Sequence, residues 1–515
     1  MKKTVLLLLA FLVFVSALVS CGSGDPSQSA VSDQSSAESA ISSESSDNSG
    51  EPEFNIQKRN YEGKEFIVYA TWVSNDHNSE IVENDLTGEF NDFMTTNVNE
   101  AIDARNKLTE EHLGVSIREI YVASDRMGGT AMNEIRLNNL AGTLGAHVVA
   151  PSIYTLGALA GEDCFVDLNS IAGFNTNASW WDRSFNQTAQ VNGKLFFIQG
   201  DCGIYGFNAT PLVYFNKNIA EELKLPDLYK TVTDNEWTFT KVYEYAKLCS
   251  VDLNDDGKMD YNDKMGYAGQ ADDSWNWFYG SGERIVSENN GILRLSMYNE
   301  RSSGAIESMT KFFSDRKVYC CANDYFGVST SPLDLTSQQF IEGRALFFSD
   351  NLSFIHRFSG MNDDFGLLPI PKYNKEQESY YSLLNSYSGN AFAIPSVLDE
   401  EELAFASECL QTFCYFSTAT VKKEYIERTL KYQKTVDDES IDMLNIIFDT
   451  RGTDLGFIYN IGSHGNASID TSLPWLLQAL MDGSLSFTSG YEARKEAAQQ
   501  DLNGIIEMYK NQTAD

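Results

Sequence analysis

The sequence is short of positive charge. It carries 38 lysines and arginines against 73 aspartates and glutamates, a formal net charge of −35. Binding nucleic acid needs a basic surface, and no basic run is present to supply one. Histidine is scarce as well, with five residues scattered along 515, so no cluster suits a transition-metal cargo. The motifs H-E-x-x-H, G-x-S-x-G, G-x-x-x-x-G-K-[ST] and G-x-G-x-x-G are all missing. Their absence argues against a zinc protease, a serine hydrolase and a nucleotide-dependent enzyme, and no organic cofactor is expected. A glycoside hydrolase needs only two opposed carboxylates, so counting alone does not exclude one. No C-x-x-C occurs, which removes the common structural zinc site. Beyond the first twenty residues, no apolar run is long enough to span a membrane.

What is present begins at the amino terminus. Lys2 and Lys3 precede an apolar run from Val5 to Val15, and Leu18, Val19 and Ser20 lead into Cys21. The run is too short for a membrane span and has the order of a secretion signal. A cysteine at the cleavage point is the pattern of a bacterial lipoprotein. Residues 1–20 are therefore expected to be removed and Cys21 lipidated, which places the mature chain on the outer face of the cell membrane. Residues 21–53 are mostly Ser, Ala, Asp, Glu and Gly. They offer too little apolar surface to offset the entropy of ordering and are expected to form a disordered tether. Seven further cysteines, Cys164, Cys202, Cys249, Cys320, Cys321, Cys409 and Cys414, are odd in number and lack a disulfide spacing.

About 460 residues remain, enough for two or three domains or lobes. Residues 64–70 read as a buried strand, 99–112 as a helix ended by Gly114, 115–122 as a strand, 131–140 as a helix and 146–150 as a strand closed by Pro151. This alternation implies a parallel sheet, with ligands sited beyond the carboxyl ends of its strands. Further strands are expected at 194–199, 212–216, 265–268, 344–349, 365–369 and 391–394. Helices are expected at 239–249, 400–416, 420–431, 475–481 and 491–509.

Five stretches carry a family resemblance. They are Pro211 to Lys217 (PLVYFNK), Glu236 to Leu248 (EWTFTKVYEYAKL), Phe340 to Phe348 (FIEGRALFF), Gly366 to Tyr373 (GLLPIPKY) and Asn390 to Pro395 (NAFAIP). In this order the chain is similar to the family 1 extracellular solute-binding proteins of ABC importers, the maltose-binding-protein-like group. The resemblance runs from about Tyr61 to the end. It implies an α/β, two-lobed periplasmic-binding-protein-like fold of type II. Each lobe would be a mainly parallel sheet flanked by helices, with a ligand cleft at the hinge. By analogy the first lobe takes 54–210 and 391–455, and the second takes 211–390 and 456–515. A carbohydrate ligand, permease subunits as partners and a monomeric state follow as expectations, together with a non-enzymatic function. A peptide or other small-molecule cargo, a surface glycan sensor and a glycan-active enzyme are the alternatives.

One local motif stands out, from Asp252 to Asp263. As a twelve-residue calcium loop it offers the side chains of Asp252, Asn254 and Asp256, the backbone carbonyl of Lys258, then Asp260 and Asp263, with Gly257 at the sharp turn. A hard cation needs six or seven oxygens around one turn, which this spacing supplies. Asp263 stands where the EF-hand has Glu. A structural Ca2+ is expected.

Sugar rings stack on aromatic faces, and polar side chains bond the hydroxyls at the rim. The candidates are Trp72 with Asn75 and Asp76 after the first strand, and Trp275 and Trp277 before Gly280. Asp350 and Asn351 follow at a strand end, Tyr205 and Tyr387 at the presumed crossings, and Trp475 at a helix start. Trp180, Trp181 and Trp237 are assigned to packing.

Overall fold

The computed structural model describes residues 54–72, 78–84, 96–124, 129–358, 360–431, 438–463 and 471–511. The signal and tether of residues 1–53, including Cys21, lie outside the described residues, as do Asn75 and Asp76. Among the described residues, no helix is long and apolar enough to cross a membrane.

The first sheet is built from β1 (Lys64–Trp72), β2 (Val115–Ala123) and β3 (Val148–Ala150), in the order β2-β1-β3. All pairs are parallel, and β1 runs in register with β2 from Lys64↔Val115 to Trp72↔Ala123. The connecting helix Thr96–Leu113 buries Val98, Ala101, Ile102, Arg105, Thr109 and Leu113, one stripe at helical spacing. It ends at Gly114, whose φ is +65° and whose Cβ would strike Asn60, so both backbone and space require glycine. Residues 390–395 lie antiparallel beside this sheet through the bridges Val149↔Ala393, Ile198↔Phe392 and Phe165↔Pro395. Of these, only Ala393 bridges a strand of the sheet, and 194–199 meets 391–394 through Ile198↔Phe392, so neither stretch is a continuous strand.

The second sheet has five strands: β4 (Pro211–Asn216), β5 (Met265–Gly269), β8 (Tyr319–Cys321), β9 (Ala345–Asn351) and β10 (Phe365–Leu368). Its order is β10-β4-β9-β5-β8. β9, β5 and β8 are parallel, whereas β4 runs antiparallel to both β9 and β10. Every residue of β4, β5 and β10 is buried, as befits a sheet covered on both faces. A small hairpin, β6 (Val286–Asn289) with β7 (Ile292–Leu295), and the short pair β11 (Ser382–Leu383) with β12 (Arg451–Gly452) complete the strands.

The helix Glu400–Ser417 starts at an Asp399 cap on the Glu402 N–H, with three glutamates in its first turn. It continues through a π-turn at Thr418–Lys422 into Lys423–Lys431. The π-turn is pinned by Asp201, which accepts from Thr418 Oγ1 at 2.8 Å and pairs with Lys422 at 2.9 Å. The helix Asp438–Asp449 packs on β10 and on the helix Leu228–Thr233. The terminal helical stretch is two helices, Phe487–Glu492 and Lys495–Asn511. Trp180, Trp181 and Trp237 are buried, and the Trp237 indole donates to Pro369 O at 2.8 Å.

Candidate ligand site

The parallel strands β5 and β9 end in Gln270, Ala271 and Asp272 and in Asp350 and Asn351. β3 ends at Ala150, and the helix Ile153–Ala160 begins at once, capped by Ser152. Between these strand ends lies an aromatic ladder. Tyr154 stacks on Tyr387, with centroids 5.0 Å apart and planes at 26°. Tyr387 stacks on Trp275 at 5.8 Å and 28°. Trp475 meets Trp275 edge-on at 5.6 Å and 81°.

The ladder is fixed from behind. The Trp275 indole donates to Pro474 O at 2.7 Å, and its ring packs on Phe457. Trp475 opens the helix Leu473–Ala479, capped by Ser472. Tyr387 follows Asn385, whose side chain accepts from the Tyr387 N–H at 2.9 Å. The Tyr387 hydroxyl and the Trp475 indole N–H face each other, shielded from water and without a well-formed hydrogen bond. Burial raises the phenol of Tyr387 well above its usual range. Such half-satisfied polar atoms are costly in a folded core and common where a ligand completes them. Tyr154 also lines a groove of about 470 Å³ with Arg136, Ile458 and Met508.

Polar side chains border the ladder. Asp272 accepts from Gln478 at 2.9 Å and from Asn385 at 3.4 Å. Asp350 accepts from Gln270 at 2.7 Å and from the Asn351 N–H at 2.7 Å. Burial pushes the Asp350 carboxyl up to about 7; the Asn351 N–H pulls it back and the nearby Asp272 charge pushes it further up. On the other side, Glu80 accepts from the Tyr205 N–H at 3.1 Å and from the Asn390 amide. Burial lifts its carboxyl to about 7 as well.

Of the predicted residues, the structure brings Trp275, Tyr387 and Trp475 together and sets Asp350 and Asn351 at a neighbouring strand end. Tyr205 is buried apart from them, its hydroxyl donating to Asn78 O at 2.7 Å. Trp72 ends β1, and its side chain lies outside the described residues. Trp277 is fully buried between Phe239 and Phe312, at 4.6 and 4.7 Å, so its indole packs the interior and presents no face to the ladder. Tyr154, Asp272, Gln270, Asn385 and Gln478 were not singled out from the sequence. The signal for Tyr154 was its place just past a strand end. Asn385 and Gln478 carry no local signal.

The acidic loop sits at the opposite end of β5. Gly257 has φ +77° and Asp255 φ +57°. Asp252, Asn254, Asp256 and Asp260 accept from the N–H groups of Gly257, Asp256, Lys258 and Asn262 at 2.7–2.9 Å. Asp252 Oδ1 is buried and has no partner. Asp263 is fully buried and spends both oxygens on backbone, accepting from Leu253 at 3.0 Å and Asp260 at 2.9 Å. Gln339 donates to the carbonyls of Asp260 and Asp263. Among the described residues, no three His, Cys, Asp or Glu side chains gather on one point in metal-holding geometry. Asp252, Asn254, Asp256 and Asp260 have the oxygen chemistry a hard cation takes, and Asp252 Oδ1 is the buried one left without a partner. Asp263, turned to the backbone, serves as a loop staple.

The mixed α/β architecture, with sheets flanked by helices, is the fold of the type II periplasmic binding proteins. Among solved structures, the chain resembles the cyclic α-maltosyl-1,6-maltose binding protein from Arthrobacter globiformis. That match has a TM-score of 0.55 and 11% identity, covering 86% of this chain and 100% of that one. An ABC substrate-binding protein from Listeria monocytogenes in complex with cycloalternan matches at TM-score 0.51 and 12% identity, covering 86% and 98%. A Mycobacterium tuberculosis protein in complex with glycerophosphocholine matches at TM-score 0.51 and 16% identity, covering 78% and 95%. No protein-family model and no curated protein matches the chain. At these identities the likeness is one of fold.

Proposed function

We propose that this chain is a lipid-anchored extracellular solute-binding protein that captures an oligosaccharide and delivers it to the permease of an ABC importer. One observation carries the reading: the ladder Tyr154–Tyr387–Trp275–Trp475 at the meeting of strand ends from both sheets. Its half-buried members, Tyr387 and Trp475, are where a sugar C–H surface would reach the ladder, and Asp272, Asp350, Asn385 and Gln478 would offer partners to hydroxyls. In this reading the first lobe takes 54–210 and the second begins at 211. The helix Asp438–Asp449 goes with the second lobe, because it packs on β10. Closure about the crossings would complete the polar atoms of Tyr387 and Trp475. Cys21 would carry the lipid and residues 21–53 the tether. The protein acts without catalysis, as a monomer.

A Ca2+ ion held by Asp252, Asn254, Asp256, the Lys258 carbonyl and Asp260 would rigidify the loop before β5. When bound, the ion supplies charge neutralisation to an acidic turn and takes no part in ligand capture.

A second reading is a glycerophosphodiester or similar small solute, favoured by the glycerophosphocholine bound to one structural neighbour. A thermal-shift screen of the full chain against oligosaccharides and glycerophosphodiesters separates the two, since a ligand of the folded state raises Tm. Stabilisation by a glycan class supports sugar capture. Stabilisation by glycerophosphodiesters alone rejects it.

A further inference from the structure

All seven cysteines of the folded part are buried, and two of them meet. Cys202 sits in the turn Gly200–Gly203, closed by the Gly203 N–H on Gly200 O at 3.0 Å. Cys414 comes from the helix Glu400–Ser417. Its Sγ stands 2.7 Å from where a Cβ on Gly200 would be, so the turn lies directly on the thiol. The Cys414 thiol interacts with both the side chain and the backbone of Cys202, and both side chains are fully buried. The Cys414 Sγ also points at Trp180 O, 3.4 Å away.

Arg105, itself fully buried, is within electrostatic range of both sulfurs. Its guanidinium donates to Glu80 O at 2.9 Å and Ile81 O at 2.7 Å and covers the Phe413 ring at 3.8 Å. The other cysteines lack such a pairing. Cys320 and Cys321 are adjacent on β8, so their side chains point to opposite faces. Cys320 contacts the Tyr325 hydroxyl at 3.6 Å, and Cys164 contacts Glu162 O at 3.6 Å.

We propose that Cys202 and Cys414 form a disulfide in the exported protein, stapling the Gly200–Gly203 turn to the long helix. The presence of an oxidant in the cell rests on the export reading above; the pairing itself does not. In the step, one thiolate attacks the disulfide of an extracytoplasmic thiol–disulfide oxidoreductase and forms a mixed disulfide. The second thiolate attacks that bond and closes the Cys202–Cys414 bridge. The two thiols lose two protons and two electrons, and the oxidant's disulfide becomes a dithiol. In the folded chain the sulfurs are out of reach, and burial holds the Cys414 thiol well above its usual range. Exchange therefore precedes docking of the turn. The bridge would reinforce Asp201, which already ties the same turn to Thr418 and Lys422.

The test refolds the unfolded full chain in a buffer of reduced and oxidised glutathione. The product is then unfolded in an alkylating agent without reductant, and its peptides are mapped by mass spectrometry. The expected product is a linked Cys202–Cys414 peptide with the other five thiols of the folded part alkylated. Alkylation of Cys202 and Cys414 together, or a bridge between other cysteines, overturns the proposal. Wild type refolded with reductant is expected to melt a few degrees below the oxidised form. Cys202→Ser is expected to melt at the same temperature either way, and a redox-dependent Tm in that variant also counts against the pair. If Cys202→Ser does not fold, the peptide map of the wild type decides alone. Chain isolated from cell membranes is mapped the same way: a bridge formed in vitro but absent there overturns its formation in the exported protein, whereas recovery of the chain only from the cytosol rejects the export reading and leaves the pairing intact.

Discussion

The two ends of β5 put the same side chain to opposite uses. At the amino end, the loop from Asp252 to Asp263 is acidic and largely exposed, and four of its five carboxylates accept from nearby N–H groups. Past β5, at its carboxyl end, Asp272 and the neighbouring Asp350 are held by side-chain amides beside tryptophan and tyrosine rings. Asp350 is only 4% exposed, and burial moves its proton affinity to about 7. An exposed carboxylate satisfied by its own turn shapes the backbone. A buried one satisfied by amides is held ready for an exchange of partners.

The largest expected effect is at the carboxyl end. Trp275→Ala removes the buried centre of the ladder and is expected to cost about 3–5 kcal/mol in urea unfolding, with loss of ligand binding. Trp475→Ala, at a half-buried position, should keep the fold and weaken ligand binding at least about tenfold. An unchanged affinity there would remove the ladder from the site.

The next effect is in pH. The Asp350 carboxyl titrates near 7 when folded and near its ordinary value of about 4 when unfolded. Between these values the folded state binds more protons, so stability falls as pH rises from about 4 to about 7. Asp350→Asn is expected to flatten that decline by on the order of 4 kcal/mol at most. Glu80, near 7, and Asp454, near 6, keep a residual slope of the same sign. A pH–stability curve unchanged in Asp350→Asn would contradict the assignment.

At the amino end the effects are smaller. Calcium at a hundredfold excess over its Kd should stabilise by about 2.7 kcal/mol, read as a rise in Tm that EDTA reverses. Asp256→Ala should abolish the rise, whereas Asp350→Asn should keep it. Asp263→Ala, which orphans the N–H groups of Leu253 and Asp260, is expected to cost about 1–2 kcal/mol in calcium-free urea unfolding. A loss seen only with calcium would make Asp263 a ligand and not a staple.

Trp275 and Trp277 show where reading the chain runs out. Both stand in one polar aromatic stretch, and nothing local separates them. The stretch is the helix Asp273–Gly280, buried on every side, so it has no amphipathic period to detect. Two residues along a helix turn the side chain by about 200°. Trp275 therefore meets Tyr387 and Trp475, while Trp277 meets Phe239 and Phe312. Tyr154 joins the ladder from 233 positions before Tyr387, a proximity that only the packing of the two sheets creates.

By itself, the sequence determined β1, β2, β4, β5, β9 and β10, the helices at 96–113 and 400–417, and the acidic turn, because hydrophobic period, caps and Asx-Gly spacing act over a few residues. The tertiary structure alone decided the antiparallel entry of β4, the bridging of 390–395 onto the first sheet, the break in the last helix, and which aromatics face one another. All but the helix break depend on contacts between residues more than a hundred positions apart, where burial is shared and no local pattern records the partner.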